Sequence, residues 1–142
     1  MATLEEHMKA LWKDFGIEAE FPKTSSGKEF TVAVKEGLTV TVKDVRDTGY
    51  YLHSVVCELP EGDREGFFVH AMTGNMLGVG TGGSSIGLEA DGTTLVLSRL
   101  LPYSIDTEDL LNIFEDFCNW TTFWRDEAEE KITQGSTAKQ FF

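Results

Sequence analysis

Two overlapping patterns of catalytic type fall between Gly78 and Gly87. "GVGTGG", Gly78 to Gly83, has the G-x-G-x-x-G spacing that lets a backbone close on a pyrophosphate. "GSSIG", Gly83 to Gly87, has the G-x-S-x-G spacing of a hydrolase nucleophile elbow. Both chemistries depend on the flanking elements. A dinucleotide cradle needs a strand leading in and a helix leading out, so that the phosphates meet the positive helix end. An elbow needs the same order, with its acid and then its histidine downstream. Here a helical pattern precedes the glycines and an alternating pattern follows them. The loop therefore meets the negative end of a helix. His7, His53 and His70 all lie upstream of Ser85, so a nucleophile there lacks its base. The better reading is a helix cap and tight turn into a strand, or a backbone needing close approach, with positive φ expected at Gly78 or Gly82.

The remaining reactive side chains are as sparse. The histidines have no short mutual spacing, and Cys57 and Cys118 have no C-x-x-C partner, so no metal site is predicted. Each histidine is read as a surface or half-buried side chain. The cysteines sit in apolar periodic segments and are expected to be reduced core thiols, as in a reducing cytoplasm. The acids of the last helical segment lack the Glu-x-x-His pairing of a di-iron bundle. Trp12, Trp120 and Trp124 read as core or groove aromatics. The expectation is a non-enzymatic chain with no cofactor.

The elements that position these residues follow from periodicity. Leu4, Met8, Leu11, Trp12 and Phe15 form one face of a helix over 3–15, with Thr3 and Glu6 at capping-box spacing and Gly16 at its end. Residues 21–28 read as loop. Phe30, Val32 and Val34, then Leu38, Val40 and Val42, alternate around a "KEG" turn. Residues 50–59 read as a strand covered on both faces. After "PEGDREG", read as loop, residues 67–77 read as a second helix with Phe68, Ala71, Met72 and Met76 on one side. Two strands joined by Asp91-Gly92 come next. Asp106 then caps a helix running to about Ile132, striped by Leu110, Phe114, Phe117, Thr121 and Trp124 and widened by Leu111, Cys118 and Ala128. Its other face, Glu115, Asp116, Asp126, Glu127, Glu129 and Glu130, is read as solvated.

The order α-β-β-β-α-β-β-α predicts an α+β fold with a twisted antiparallel sheet flanked by helices. One domain is expected over 1–132, with a mobile tail over 133–142. With 142 residues and ten Phe, the chain can bury about 68–70% of its unfolded surface without a staple. Against 12 basic residues stand 24 acidic ones, for a net charge of −12. That field repels nucleic acid and anionic membranes and favours a basic or neutral partner. The start, "MATLEEHMKALWKDFG", does not read as a signal peptide, and no run approaches the roughly 18 apolar residues of a membrane span.

Residues 75–130, "NMLGVGTGGSSIGLEADGTTLVLSRLLPYSIDTEDLLNIFEDFCNWTTFWRDEAEE", show an ordered combination. A helix ends Asn-hydrophobic-Leu-Gly, and a glycine-rich link, a strand, Asp-Gly, a strand ending Leu-Pro and an acidic helix bearing Phe and Trp follow. Asn75, Leu77, Gly78, Gly80, Gly82, Gly83, Gly92, Leu100, Pro102, Leu111, Phe117 and Trp124 carry it. This resembles the type III secretion chaperones of the Tir-chaperone family. The resemblance implies a bacterial cytoplasmic homodimer that binds an extended N-terminal segment of a secreted effector protein and keeps it export-competent, without nucleotide. The same fold also serves non-enzymatic adaptors or regulators. The resemblance further implies a two-fold interface at Phe68, Met72, Met76, Ile86 and Leu88. It implies effector contacts at Leu11, Phe15, Phe30, Val32 and Val34, any one of which serves equally as plain core. Trp120 and Phe123 fall off the main stripe of the last helix.

Overall fold

A computed structural model describes residues 1–23, 26–59, 62 and 64–134, with side chains to Glu130. The first helix, α1 (Leu4–Asp14), starts where the Glu6 N–H donates to Thr3 Oγ1 at 3.2 Å. It stops at Gly16, whose φ of +60° lets the Gly16 and Ile17 N–H groups return to the Lys13 and Trp12 carbonyls. Three hairpin-connected strands follow: β1 (Glu29–Lys35), β2 (Leu38–Val45) and β3 (Gly49–Glu58). The next elements are α2 (Arg64–Asn75), β4 (Ser85–Leu88), β5 (Thr94–Leu101) and α3 (Thr107–Gln134).

The strands form one antiparallel sheet in the order β1-β2-β3-β5-β4. Phe30, Val32, Val40, Val42, Leu52, Leu97 and Leu101 point to the face that the helices cover, and they join Leu4, Met8, Leu11, Phe67, Ala71, Leu110, Phe114, Phe117 and Trp124 in a single core. The opposite face is open, with Thr31, Thr39, Lys43, Val55 and Leu100 exposed. Central position does not cover β3 on both sides: Val55 is exposed and Tyr51, His53 and Cys57 are half-buried. A bulge between Val55 and Cys57 explains its imperfect period of two. Arg125 on α3 uses that bulge. It donates through Nε to the Val56 carbonyl at 3.0 Å, through a terminal nitrogen to the Val55 carbonyl at 2.9 Å, and to the Gly37 carbonyl in the β1–β2 turn.

The Asp-Gly turn forms as predicted. Asp91 accepts from the Thr93 and Thr94 N–H groups at 2.8 and 3.0 Å, and these bonds hold its carboxyl below its ordinary pKa. Three boundaries move, in two helices. Helix α2 begins at Arg64, inside the segment read as loop, and ends at Asn75 because the chain turns into a 3-10 turn at Met76–Gly78 with Leu77 left-handed, φ +55°. Helix α3 reaches Gln134, two residues past Ile132, and the rest of the tail lies outside the described residues.

Candidate protein-docking surfaces

The glycine link is built for packing. Gly78 and Gly82 both have positive φ, +72° and +62°. The loop N–H groups turn inward: Gly80 donates to the Gly74 carbonyl, Thr81 and Gly83 to that of Gly78, and Ser84 to that of Thr81. With these four donors turned to its own carbonyls, the loop does not present the converging row of N–H groups that cradles a phosphate. A Cβ on Gly78 would lie 2.9 Å from Gly83 Cα, and one on Gly82 would lie 2.0 Å from Trp120 Nε1. Trp124 Nε1 donates to the Gly80 carbonyl at 2.9 Å, and an Arg99 guanidinium nitrogen to that of Gly82 at 2.8 Å. The link is thus stapled to α3 and β5, and Trp120, off the main stripe, is the side chain against which it lies. Phe123 packs edge-on between Trp120 and Trp124.

Two histidines correct the reading of surface side chains. His70 on α2 is buried and sits 2.8 Å from Glu127 Oε2 on α3, which is buried as well and so does not belong to the solvated acidic face. His7 is buried against Tyr50, with Nδ1 2.8 Å from Thr107 Oγ1. Burial lowers its pKa below 6.5, against the raising pull of Glu6 and Asp106. His53, half-buried, meets Glu89 at 2.9 Å. Burial pushes the Cys118 thiol to about 12 and the Cys57 thiol upward, as inert core thiols require.

The fold leaves a groove at each of the opposite edges of the sheet, apolar beside β4 and of mixed lining beside β1. At the β4 edge, Phe68, Ala71, Met72, Ile86, Leu88 and Leu95 line a groove of about 230 Å³ between α2 and β4. Met72 is 70% exposed, and Met76, on the adjoining 3-10 turn, 60%. Of the five residues expected at a two-fold interface, Phe68, Met72, Ile86 and Leu88 line this groove, and Met76 is exposed on the turn that follows α2. Asn75 fastens its two walls: its Oδ1 accepts from the Ile86 N–H at 2.9 Å and its amide donates to the Ile86 carbonyl at 3.5 Å. Sequence reasoning missed Val69, Leu77 and Val79, which are exposed on the same segment. A signal was present: from Gly66 to Leu88 there is no Asp, Glu, Lys or Arg, in a chain of net charge −12.

At the β1 edge, Phe15, Gly16, Ile17, Glu18, Ala19, Ala33 and Val34 line a groove of about 360 Å³. Trp12 Nε1 donates to the Ala19 carbonyl at 2.9 Å and so holds the segment after α1 against the helix. Phe15 and Val34 are the two of the five expected effector contacts that reach this groove. Leu11, Phe30 and Val32 do not; they are fully enclosed, Phe30 and Val32 on the sheet face that the helices cover and Leu11 on the inner face of α1.

The fold and these surfaces define an α+β domain with one open sheet face, a groove at each outer edge, and helices none of which, among the described residues, is long and apolar enough to cross a membrane. Residues 9–125 match the Tir chaperone protein (CesT) family, and the chain belongs to it. A protein of Chlamydia pneumoniae is 27% identical over 124 residues, which span 85% of this chain and 92% of that one. Three solved structures share the fold at 14% identity. The ExsC-ExsE complex aligns with a TM-score of 0.68 over 89% of this chain and 97% of the matched one. The HopA1-SchA chaperone-effector complex gives 0.60 over 89% and 98%. The heterodimeric ExoU-SpcU complex of the Pseudomonas aeruginosa type III secretion system gives 0.59 over 87% and 93%.

Proposed function

We propose that the chain is a homodimeric chaperone of type III secretion in the bacterial cytoplasm, which binds an extended segment of an effector protein and keeps it export-competent. The observation that carries this reading is the separation of an apolar groove beside β4 from a second groove beside the β1 edge, on the two outer strands of one sheet. The α2–β4 face serves self-association, and the β1 edge, with the groove beside α1, takes the effector. An edge strand offers backbone hydrogen bonds to an added strand, and pockets beside it select alternate side chains. That mode suits a client held extended. The likeness to a chaperone-effector complex and to a heterodimeric complex of a type III secretion system supports it. The reading needs no nucleotide and no catalytic residue: Ser85 opens an edge strand, and His70 is taken up by Glu127.

Co-expression with candidate effectors encoded nearby, followed by co-purification, tests the assignment. Val34→Asp places a charge in the β1-edge groove at a half-buried position. It should weaken the complex by about tenfold or more while leaving the circular dichroism and unfolding of the free protein close to wild type. An unchanged complex would remove the β1 edge as the effector site.

A further inference from the structure

Leu77 combines two unfavourable features. It is 91% exposed, and it is a non-glycine residue held in the left-handed region at φ +55°. Asp47 is the other described non-glycine residue with positive φ, and a short polar side chain tolerates that conformation; leucine does not. Glycine, free of the penalty, stands at Gly78, Gly82 and Gly83 of the same link. Neither folding nor solubility accounts for a leucine here. Strain of this kind persists where the surroundings hold it for use.

Asn75, two residues before Leu77, lines the α2–β4 groove, about 230 Å³, large enough for a leucine side chain. Leu77, so exposed, does not fill its own groove. The knob and all of the groove's lining except Leu95 sit in the segment from Gly66 to Leu88 that carries no Asp, Glu, Lys or Arg. Two copies at net charge −12 repel wherever charged faces meet, so a charge-free face is where a second copy can approach. A basic partner would instead be drawn to the acidic outer side of α3. The geometry points to Leu77 as a knob that enters the α2–β4 groove of a second copy, reciprocally across a two-fold axis. Each copy supplies both knob and groove, so a reciprocal contact closes as a dimer without open chains. This inference rests on the reading of that face as the two-fold interface, and adds which residue anchors it and what it enters.

Sedimentation equilibrium on the full chain tests it. Leu77→Gly removes the knob and relieves the backbone, and it should weaken self-association by at least about tenfold. A second measurement does not depend on how the separated monomer folds. Chains carrying Leu77→Cys and Leu88→Cys, mixed and oxidised, should give a covalent pair in greater yield than either variant alone. A wild-type chain that dimerises while Leu77→Gly leaves association unchanged, with no preferred cross-link, overturns the knob and keeps the interface. A wild-type chain that stays monomeric at micromolar concentration overturns the interface itself. Leu77→Gly dimers that lose effector binding would overturn the knob by assigning Leu77 to the client.

Discussion

At Gly82 backbone conformation and packing both exclude a side chain. Its φ is left-handed, and an added Cβ would enter the Trp120 indole, which Phe123 backs edge-on. Gly82→Ala should cost about 2–4 kcal/mol in urea unfolding. Combined with Trp120→Ala, it should cost clearly less than the two single changes together, because the collision has gone. Additivity would show that the indole is not what Gly82 avoids. A pH effect belongs to His7. Burial lowers its folded pKa below 6.5, and its Nε2 has no hydrogen-bond partner among the described residues. In the window between that lowered value and 6.5 the unfolded chain binds more protons than the folded one. Stability therefore falls as pH drops through this window and levels off below it. The unfolding midpoint should fall on acidification below about pH 6.5, and His7→Gln should remove that part of the dependence. An unchanged profile in the variant would mean the burial carries no such penalty.

Helix α3 organises the other elements through a few polar anchors. Arg125 satisfies three carbonyls, two at the β3 bulge and one in the β1–β2 turn. A planar guanidinium can span them; an ammonium cannot. Arg125→Met should destabilise by about 2 kcal/mol, and Arg125→Lys should recover little of it, both read from thermal unfolding. Full recovery by lysine would show that charge alone suffices. Most elements were legible in the sequence because their signals are local: the Thr3 cap, Gly16, the Asp91-Gly92 turn and the α3 stripe each rest on neighbours within a turn of chain. The start of α2 at Arg64 was not, because Gly and Pro beside it read as loop. Nor was the burial of His70 and Glu127, which are separated by 57 positions and become partners only when α2 meets α3.

For the whole molecule, sheet order decides what the surfaces can do. The β1-β2-β3-β5-β4 order sends the two grooves to opposite edges, and no local pattern encodes that. Alternation alone placed Phe30, Val32 and Val34 on one strand face; it took the positions of α1 and α3 to separate the enclosed Phe30 and Val32 from the half-open Val34. The glycine link likewise becomes intelligible only with α3 in place. Its close packing against Trp120, Trp124 and Arg99 fixes the chain between α2 and β4, so that the two walls of the groove keep their distance. The central claim is that two copies join through the α2–β4 face and leave the β1 edges for one extended client. Light scattering on the complex co-purified with an effector tests it most directly. The account predicts a mass of twice the 15.8 kDa of this chain plus one effector segment, and a dimer when the effector is absent. A monomer alone, and a complex holding a single copy of this chain, would contradict it.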